Sequence, residues 1–483
     1  MAVPAIVPTP TRITAGDGVF RLTDTTGVDA PPAIADLLRE VLGRPLPPGP
    51  GLAFRLVDGF APEGYRLTIG ADGVVATAST EAGLRWAVQT LRQLHGYAHR
   101  ADAPLPFVDI EDAPRLPWRG ALLDVARWCH PIDFVRRFVD HLAAHKLNTL
   151  HLHLTDDQGW RFEVRKYPRL TEVGGWRRES NAGHAREGRF DGTPHGGWYS
   201  QDQLRELVAF AARRGVRVMP EIDLPGHMQA AISAYPWLGN GGEQLEVRTA
   251  WGISKHVLNT SDQALQFARS VLDEVVDVFP FEYVHLGGDE VPLDEWAGSE
   301  AAQERVRTAG LAGTPELLGW WIRQMSDHLA GHGRKIAVWD ELVEANPPKD
   351  ALVFAWRGVD RVTAALEAGH PVVAVPQTHV YLDHAESKDP GEPLSIGGYS
   401  PLGKVLSYEP VPPGFEGRVL GTQGMLWSEY TPTPQMVEWR AWPRLAAVAD
   451  VAWSPAPRFA DAVDVHRGRL RDLGINAHPT SSR

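Results

Sequence analysis

The chain has 483 residues, 43 % hydrophobic and 22 % charged, which excludes general disorder and suffices for one large barrel with an attachment or for several smaller domains. Sixty acidic side chains against 48 basic ones give a net charge of -12 with no long basic tract, so nucleic acid and anionic membranes are poor partners. The single cysteine, Cys129, excludes an intramolecular disulfide and a thiolate metal cluster within one chain.

The opening segment, Met1-Ala-Val-Pro-Ala-Ile-Val-Pro8, has no basic stretch, and Pro4 and Pro8 interrupt its apolar residues. As written it is not a signal peptide, and no apolar run approaches the ~20 residues that cross a bilayer. The expectation is a cytoplasmic, soluble chain, or a secreted one if a leader has been removed. Apolar Ile34, Leu37, Leu38 and Leu42 recur at helical spacing and predict a helix over 32–42. Extended segments come next at 52–57, 65–69 and 74–78, the last two joined by Asp72-Gly73, and a second helix covers 81–95. This order reads as a small α+β domain over residues 1–115, ending at the proline-rich run Ala113-Pro-Arg-Leu-Pro-Trp118.

Beyond it the pattern alternates. Short apolar runs at 121–125, 149–154, 216–220, 283–286, 335–338, 352–355, 371–375 and 419–425 predict buried strands. Helical segments at 134–145, 203–214, 263–278, 315–332 and 362–368 separate most of them. Eight such strands with intervening helices predict a (β/α)8 TIM barrel over 116–483, an α/β fold with loop insertions.

Chemistry in such barrels gathers at the C-terminal ends of the strands, so the residues just after each strand are the informative ones. Those ends carry Arg127, Asp156, Asp223, His227, Asp289, Glu290, Trp339, Trp356, Tyr381, Asp383, Trp427 and Glu429. Carboxylates and tryptophans at all eight ends exceed what a purely structural barrel needs. The adjacent pair Asp289-Glu290 suits a division of labour in which one carboxyl stays ionised and the other protonated. A surface turn or helix cap is the plainer reading, against which Gly287-Gly288 suggests close approach of a ligand to the backbone. His151 and His153 lie on one side of the second strand, as a metal site requires. A buried hydrogen-bonded pair is favoured instead, because no further histidine after the last strands completes a ligand set.

The strings His285-Leu-Gly-Gly-Asp-Glu290, Asp156-Asp-Gln-Gly-Trp160 and Pro220-Glu-Ile-Asp-Leu-Pro-Gly-His227 strongly resemble glycoside hydrolase family 20, the β-N-acetylhexosaminidases. Glu63-Gly-Tyr65 and Gln89-Thr-Leu-Arg-Gln-Leu94 resemble the small domain that precedes the family's barrel, so the likeness covers nearly the whole chain. It implies exo-acting, retaining removal of terminal GlcNAc or GalNAc, with the substrate's own 2-acetamido group as nucleophile. By the same resemblance Glu290 is the general acid and then base, Asp289 orients the acetamido N–H, and Tyr381 donates to its oxygen. Trp339, Trp356 and Trp427 wall the acetamido methyl, while Arg127, Asp383 and Glu429 hold the sugar hydroxyls. His227 and Asp156 stand behind the acid, and Asp223 steadies Asp289. No cofactor and no metal are implied, and the partner is an oligosaccharide or small molecule ending in an N-acetylhexosamine.

Glu341 and Trp160 are weaker candidates for the leaving-group side. Arg119, before the first barrel strand, reads as a stabilising residue at the barrel's foot. The long segments from Glu290 to Trp339 and from Tyr381 to Gly403 are expected on the catalytic face, where they bear on aglycone preference. Three competing readings are a metal-dependent amidohydrolase using His151 and His153, a sugar-binding protein without catalysis, and a disaccharide-releasing relative with a wider pocket. The presence of Glu290 and Tyr381 speaks against the second, and Arg127, Asp383 and Glu429 closing around one sugar speak against the third.

Overall fold

The computed structural model describes residues 4–96 and 104–479. Its first part is one six-stranded sheet: β1 (Arg12–Arg21), β2 (Gly27–Asp29), β3 (Gly51–Leu56), β4 (Tyr65–Gly70), β5 (Gly73–Ala78) and β6 (Pro104–Asp112). They lie in the order β1-β6-β4-β5-β3-β2, antiparallel from β1 to β5 and parallel from β5 to β2. Helices α1 (Pro32–Leu42) and α2 (Glu81–His95) have the bounds that the periodicity predicts. Their apolar stripes, Ile34, Leu38 and Leu42 on one and Leu84, Val88 and Leu91 on the other, close over Leu67, Ile69, Val74 and Ala76 of the sheet. Gly43 ends α1 in a left-handed conformation (φ 62°) that returns its N–H to Arg39. Strands β1, β2 and β6 are absent from the sequence reading. β1 has no fully buried residue and its alternation is broken by a register shift between Ala15 and Val19, β2 is three residues long, and β6 contains two prolines.

The second part is a closed barrel of eight parallel strands. They are β7 (Trp118–Asp124), β8 (Thr149–His153), β9 (Arg217–Glu221), β10 (Tyr283–His285), β11 (Lys335–Trp339), β12 (Leu352–Ala355), β13 (Val372–Ala374) and β14 (Val419–Leu426). Each coincides within three residues with one of the eight apolar runs. Outside run α3 (Ile132–Ala144), α4 (Gln201–Arg213), α5 (Asp262–Val278), α6 (Thr314–Gly331), α7 (Val359–Glu367) and α8 (Arg444–Trp453). The strands are buried on both faces, inward against each other and outward against these helices, which is why they read as continuous apolar runs. No helix among the described residues is long and apolar enough to cross a membrane.

The two parts meet at the foot of the barrel. Arg119 at the start of β7 forms a two-pronged pair with Glu63, at 2.8 and 3.0 Å, and lies 4.9 Å from the Trp453 ring centroid. Lys146 reaches Asp112 at 2.7 Å, and the Tyr65 hydroxyl donates to the same carboxylate at 2.8 Å. Lys146 and Asp112 are wholly buried as side chains. Removing either member of such a pair costs about 3–5 kcal/mol, because the other charge is left unpaired. Glu63 and Tyr65, singled out as a motif, are therefore fasteners of this joint.

Candidate active site

At the opposite end of the barrel the strand ends surround a cavity of about 510 Å³. Arg127, Asp156, His227, Asp289, Glu290, Trp339, Trp356, Tyr381, Asp383, Trp427 and Glu429 all line it. Of the twelve residues singled out, only Asp223 stands behind the wall.

The floor is built first. Paired parallel strands place Asp124 opposite His153, His153 opposite Glu221, and Glu221 opposite His285. The buried Glu221 carboxylate collects its neighbours: His153 Nδ1 at 2.6 Å, His151 Nε2 and His285 Nδ1 at 3.0 Å, and Trp339 Nε1 at 2.9 Å. Burial opposes its charge, yet these histidines hold its pKa well below the usual carboxylate range. His151, by burial, is lowered to about 4 and is neutral; His153 is raised well above its ordinary value, since Glu221 and Asp156 outweigh burial. Both members of the His-x-His pair are thus engaged in the barrel layer, and Glu221 fixes the indole of Trp339.

A second hub is Asp156. Its Oδ2 accepts from His153 Nε2 at 2.9 Å and lies 2.8 Å from Arg127 Nη2, while its Oδ1 lies 3.2 Å from His227 Nδ1. Burial would raise its pKa, but Arg127 and His227 lower it well below normal. His227 in turn is raised well above its ordinary value: burial disfavours the charge, and Asp156, Asp157 and Glu290 restore it. Its Nε2 faces Glu290 Oε2 at 3.6 Å and Asp289 Oδ2 at 3.8 Å. His227 and Glu290 both hold left-handed backbone, φ 51° and 49°, a strain that persists only where surroundings impose it.

Gly287 and Gly288 also have positive φ, 64° and 85°, but they make room for protein and not for a ligand. A Cβ on Gly287 would stand 1.9 Å from Asp223 Oδ1, and one on Gly288 2.3 Å from Leu342 Cδ1. Asp223 Oδ1 accepts from Gly288 N at 3.0 Å, which seats its carboxyl under Asp289. Burial and the charge of Asp289 raise the Asp223 pKa well above normal. Burial also raises that of Asp289, with His227 opposing and Glu290 adding. A hydrogen bond from the Asp223 carboxyl favours the ionised form of Asp289.

The walls are aromatic. Trp356 stacks on Tyr381 with centroids 6.1 Å apart and planes at 24°; Trp427 lies 6.4 Å from Tyr381 and 5.9 Å from Trp339. Arg127 closes one side, its Nε donating to Gln158 at 3.0 Å and its Nη1 to Asp124 at 3.2 Å, with Glu429 3.9 Å from Nη2. Asp383 stands near Glu429; burial and that charge push its pKa up to about 8, and its Oδ1 has no hydrogen-bond partner among the described residues. Glu429 is raised mainly by burial, with Arg127 opposing. The cavity therefore combines aromatic faces with the carboxyls of Asp289, Asp383 and Glu429 and the guanidinium of Arg127, a lining suited to a compact polar ring with one apolar appendage.

Sequence reasoning missed part of this lining. Gly252 and Ile253 reach the cavity from a loop held by Gln158, whose Nε2 donates to Ala250 O at 3.1 Å. Gln377, His384 and the segment Ile396-Gly397-Gly398 complete the rim. The last is carried by the 381–403 loop, which the buried Arg444 fastens through the carbonyls of His384 and Ser400 at 3.1 and 2.8 Å. The segment from Glu290 to Trp339, expected on the catalytic face, supplies no residue of 291–338 to the cavity among those described: it holds α6 and most of β11. Trp160 is likewise not at the site: it is buried, donating to Phe162 O at 2.6 Å. Glu341 touches the wall from behind, accepting from Trp356 Nε1.

Known proteins share both the sequence and this architecture. Residues 116–456 match the model for the glycosyl hydrolase family 20 catalytic domain, and residues 3–113 that for the same family's domain 2. The chain is 35 % identical over 507 aligned positions to a beta-hexosaminidase of Porphyromonas gingivalis, covering 98 % of this chain but only 64 % of that protein's length. It is 34 % identical to a beta-N-acetylhexosaminidase of Cellulomonas fimi, covering 95 % of this chain and 91 % of the relative. The family 20 exo beta-N-acetylglucosaminidase of Vibrio harveyi, solved with N-acetylglucosamine, superposes with a TM-score of 0.89 at 30 % identity, over 98 % of this chain and 78 % of that one. Two family models covering sheet and barrel in turn, and relatives sharing a third of their residues across nearly all of it, place this chain in glycosyl hydrolase family 20.

Proposed function

We propose that the chain is an exo-acting, retaining β-N-acetylhexosaminidase that removes terminal β-linked GlcNAc or GalNAc with the substrate's acetamido group as nucleophile. The observation that carries this is the gathering of Asp289, seated against Asp223, with Tyr381 and three tryptophans around one cavity. An amide is a weak nucleophile, so it has to be held in an attacking pose and kept from water. Asp289 accepts its N–H and supports the positive charge that develops, Tyr381 donates to its oxygen, and Trp339, Trp356 and Trp427 enclose its methyl.

Glu290, at the rim and 36 % exposed by side chain, protonates the departing glycosidic oxygen as the acetamido oxygen bonds to C1. An oxazolinium intermediate results. Glu290 then takes a proton from the water that attacks C1, the acetamido group is released, and configuration is retained. Arg127, Asp383 and Glu429 bind the ring hydroxyls, which favours a single terminal sugar. His227 and Asp156 hold Glu290 in place, and Asp223 props Asp289 from below.

Release of nitrophenol from its β-GlcNAc, β-GalNAc and β-glucoside conjugates, with and without EDTA, tests this in wild type and Glu290→Gln. The expected result is cleavage of the two N-acetyl substrates only, indifference to EDTA, and large loss in the variant. Equal cleavage of the glucoside would show that the acetamido group is not the nucleophile.

A further inference from the structure

Away from the cavity, α5 and α6 pack side by side along a polar seam. On α5, Arg269 and Asp273 are one turn apart; on α6 and its C-cap, Gln324, His328 and His332 succeed one another at the same four-residue spacing. Arg269 Nη2 donates to Gln324 Oε1 at 3.2 Å. One turn on, His328 Nε2 and His332 Nε2 converge on a single atom, Asp273 Oδ1, at 2.7 and 3.0 Å. The two rings meet edge to face with centroids 5.1 Å apart, and the seam opens to solvent at His332, 40 % exposed by side chain.

We propose that His328, His332 and Asp273 form a binding site for a divalent transition-metal cation of the zinc type, which fastens α5 to α6. Two histidines at i and i+4 on one helix chelate such an ion from a single face, and an acidic oxygen from a second helix supplies the third ligand. Two imidazole nitrogens with one carboxylate oxygen favour zinc, nickel or copper over magnesium or calcium, which prefer all-oxygen shells. In a tetrahedral site with bonds of about 2.0–2.1 Å, ligand atoms stand roughly 3.4 Å apart. The nitrogen–oxygen contacts, at 2.7 and 3.0 Å, need open by only about half an ångström, and all three ligand atoms already lie within 4.8 Å of one another. Solvent at the open side provides the fourth ligand. Binding requires each neutral ring to turn its Nε2 lone pair to the metal, with the remaining ring proton on Nδ1. His332 lies three residues before β11 begins, at the barrel end opposite the cavity, so occupancy acts on stability and leaves the proposed chemistry untouched.

Calorimetric titration of Zn²⁺ into the metal-free chain, with melting curves alongside, tests the site. Wild type is expected to bind one zinc per chain and to melt at a higher temperature when saturated. His328→Ala and His332→Ala are expected to bind at least tenfold more weakly and to lose that rise. Asp273→Asn, which keeps the seam filled, is expected to weaken binding while its metal-free melting temperature stays near wild type. Full-affinity binding in both histidine variants would locate the ion elsewhere, for instance at His227 and its carboxylates, and overturn the proposal. Absence of saturable binding up to about 1 mM zinc would overturn it too.

Discussion

The indole Nε1 of Trp356 donates to both carboxylate oxygens of Glu341, at 3.1 and 3.0 Å. Glu341 is an uncomfortable residue: burial first, then the charges of Asp289 and Asp340, push its pKa up to about 8. The chain tolerates that cost, and what it obtains is one fixed wall of the cavity. Glu341→Ala is therefore expected to lower kcat/KM on N-acetyl substrates by roughly 10–100-fold, about 1.4–2.7 kcal/mol of lost transition-state binding. Glu341→Gln, which can still accept from the indole, should recover most of it. Steady-state kinetics on the three proteins decide the matter, and equal rates would mean that the Tyr381 stack alone positions Trp356.

Tyr381 is buried between Trp356 and Trp427, and its pKa is driven well above the phenol value chiefly by burial. It therefore remains a donor at any working pH. Tyr381→Phe keeps the stack and removes only the donor, so kcat should fall by about 10²–10³ with a much smaller change in melting temperature. A fall of less than tenfold would remove Tyr381 from the chemistry.

Gly287 gives a sharper test of the floor. Its φ of 64° and the 1.9 Å approach of Asp223 Oδ1 to a would-be Cβ leave no space for alanine. Gly287→Ala is expected to cost about 2–4 kcal/mol of stability and to lower kcat more than it raises KM, since Asp223 is pushed from beneath Asp289. Thermal melts paired with kinetics measure both. An unchanged kcat in a folded variant would show that the seat of Asp223 is immaterial.

Asp383 links the site to pH. Its carboxyl keeps a proton to about pH 8, whereas in the unfolded chain it ionises near 4. The folded form thus binds the extra proton between those values. Its contribution to stability is fully present below about pH 4 and is lost as pH rises through about 8. Asp383→Asn removes that dependence: at pH 8 it should melt roughly 2–4 °C higher than wild type, a gain of about 1–2 kcal/mol, and the gain should shrink toward pH 5. It should at the same time lose sugar affinity. Scanning calorimetry from pH 5 to 8 checks the slope, and a pH-independent difference would contradict it.

The barrel was legible because burial on both faces writes each strand as an apolar run, as in 149–154 and 352–355, and the residues just past each run reach the cavity by geometry alone. β1 was not legible, since its residues are at most half-buried and a register shift between Ala15 and Val19 interrupts their alternation. Ile253 and Ile396 were missed for another reason. They reach the rim on loops tied by distant anchors, Gln158 and Arg444, and nothing local in sequence marks such an attachment. The Gly287-Gly288 pair was seen but misread: the groups that approach that backbone are Asp223 and Leu342.

Trp453, the last residue of α8, is buried among the apolar side chains of the N-terminal sheet, 6.1 Å from Trp86 and donating to Asp112 at 2.8 Å. The barrel's final helix thus ends inside the other part's interior, so neither core can be exposed without opening its neighbour. Heating should accordingly yield one calorimetric transition spanning both parts, and a nick in the 113–117 connection should leave the two fragments bound to each other.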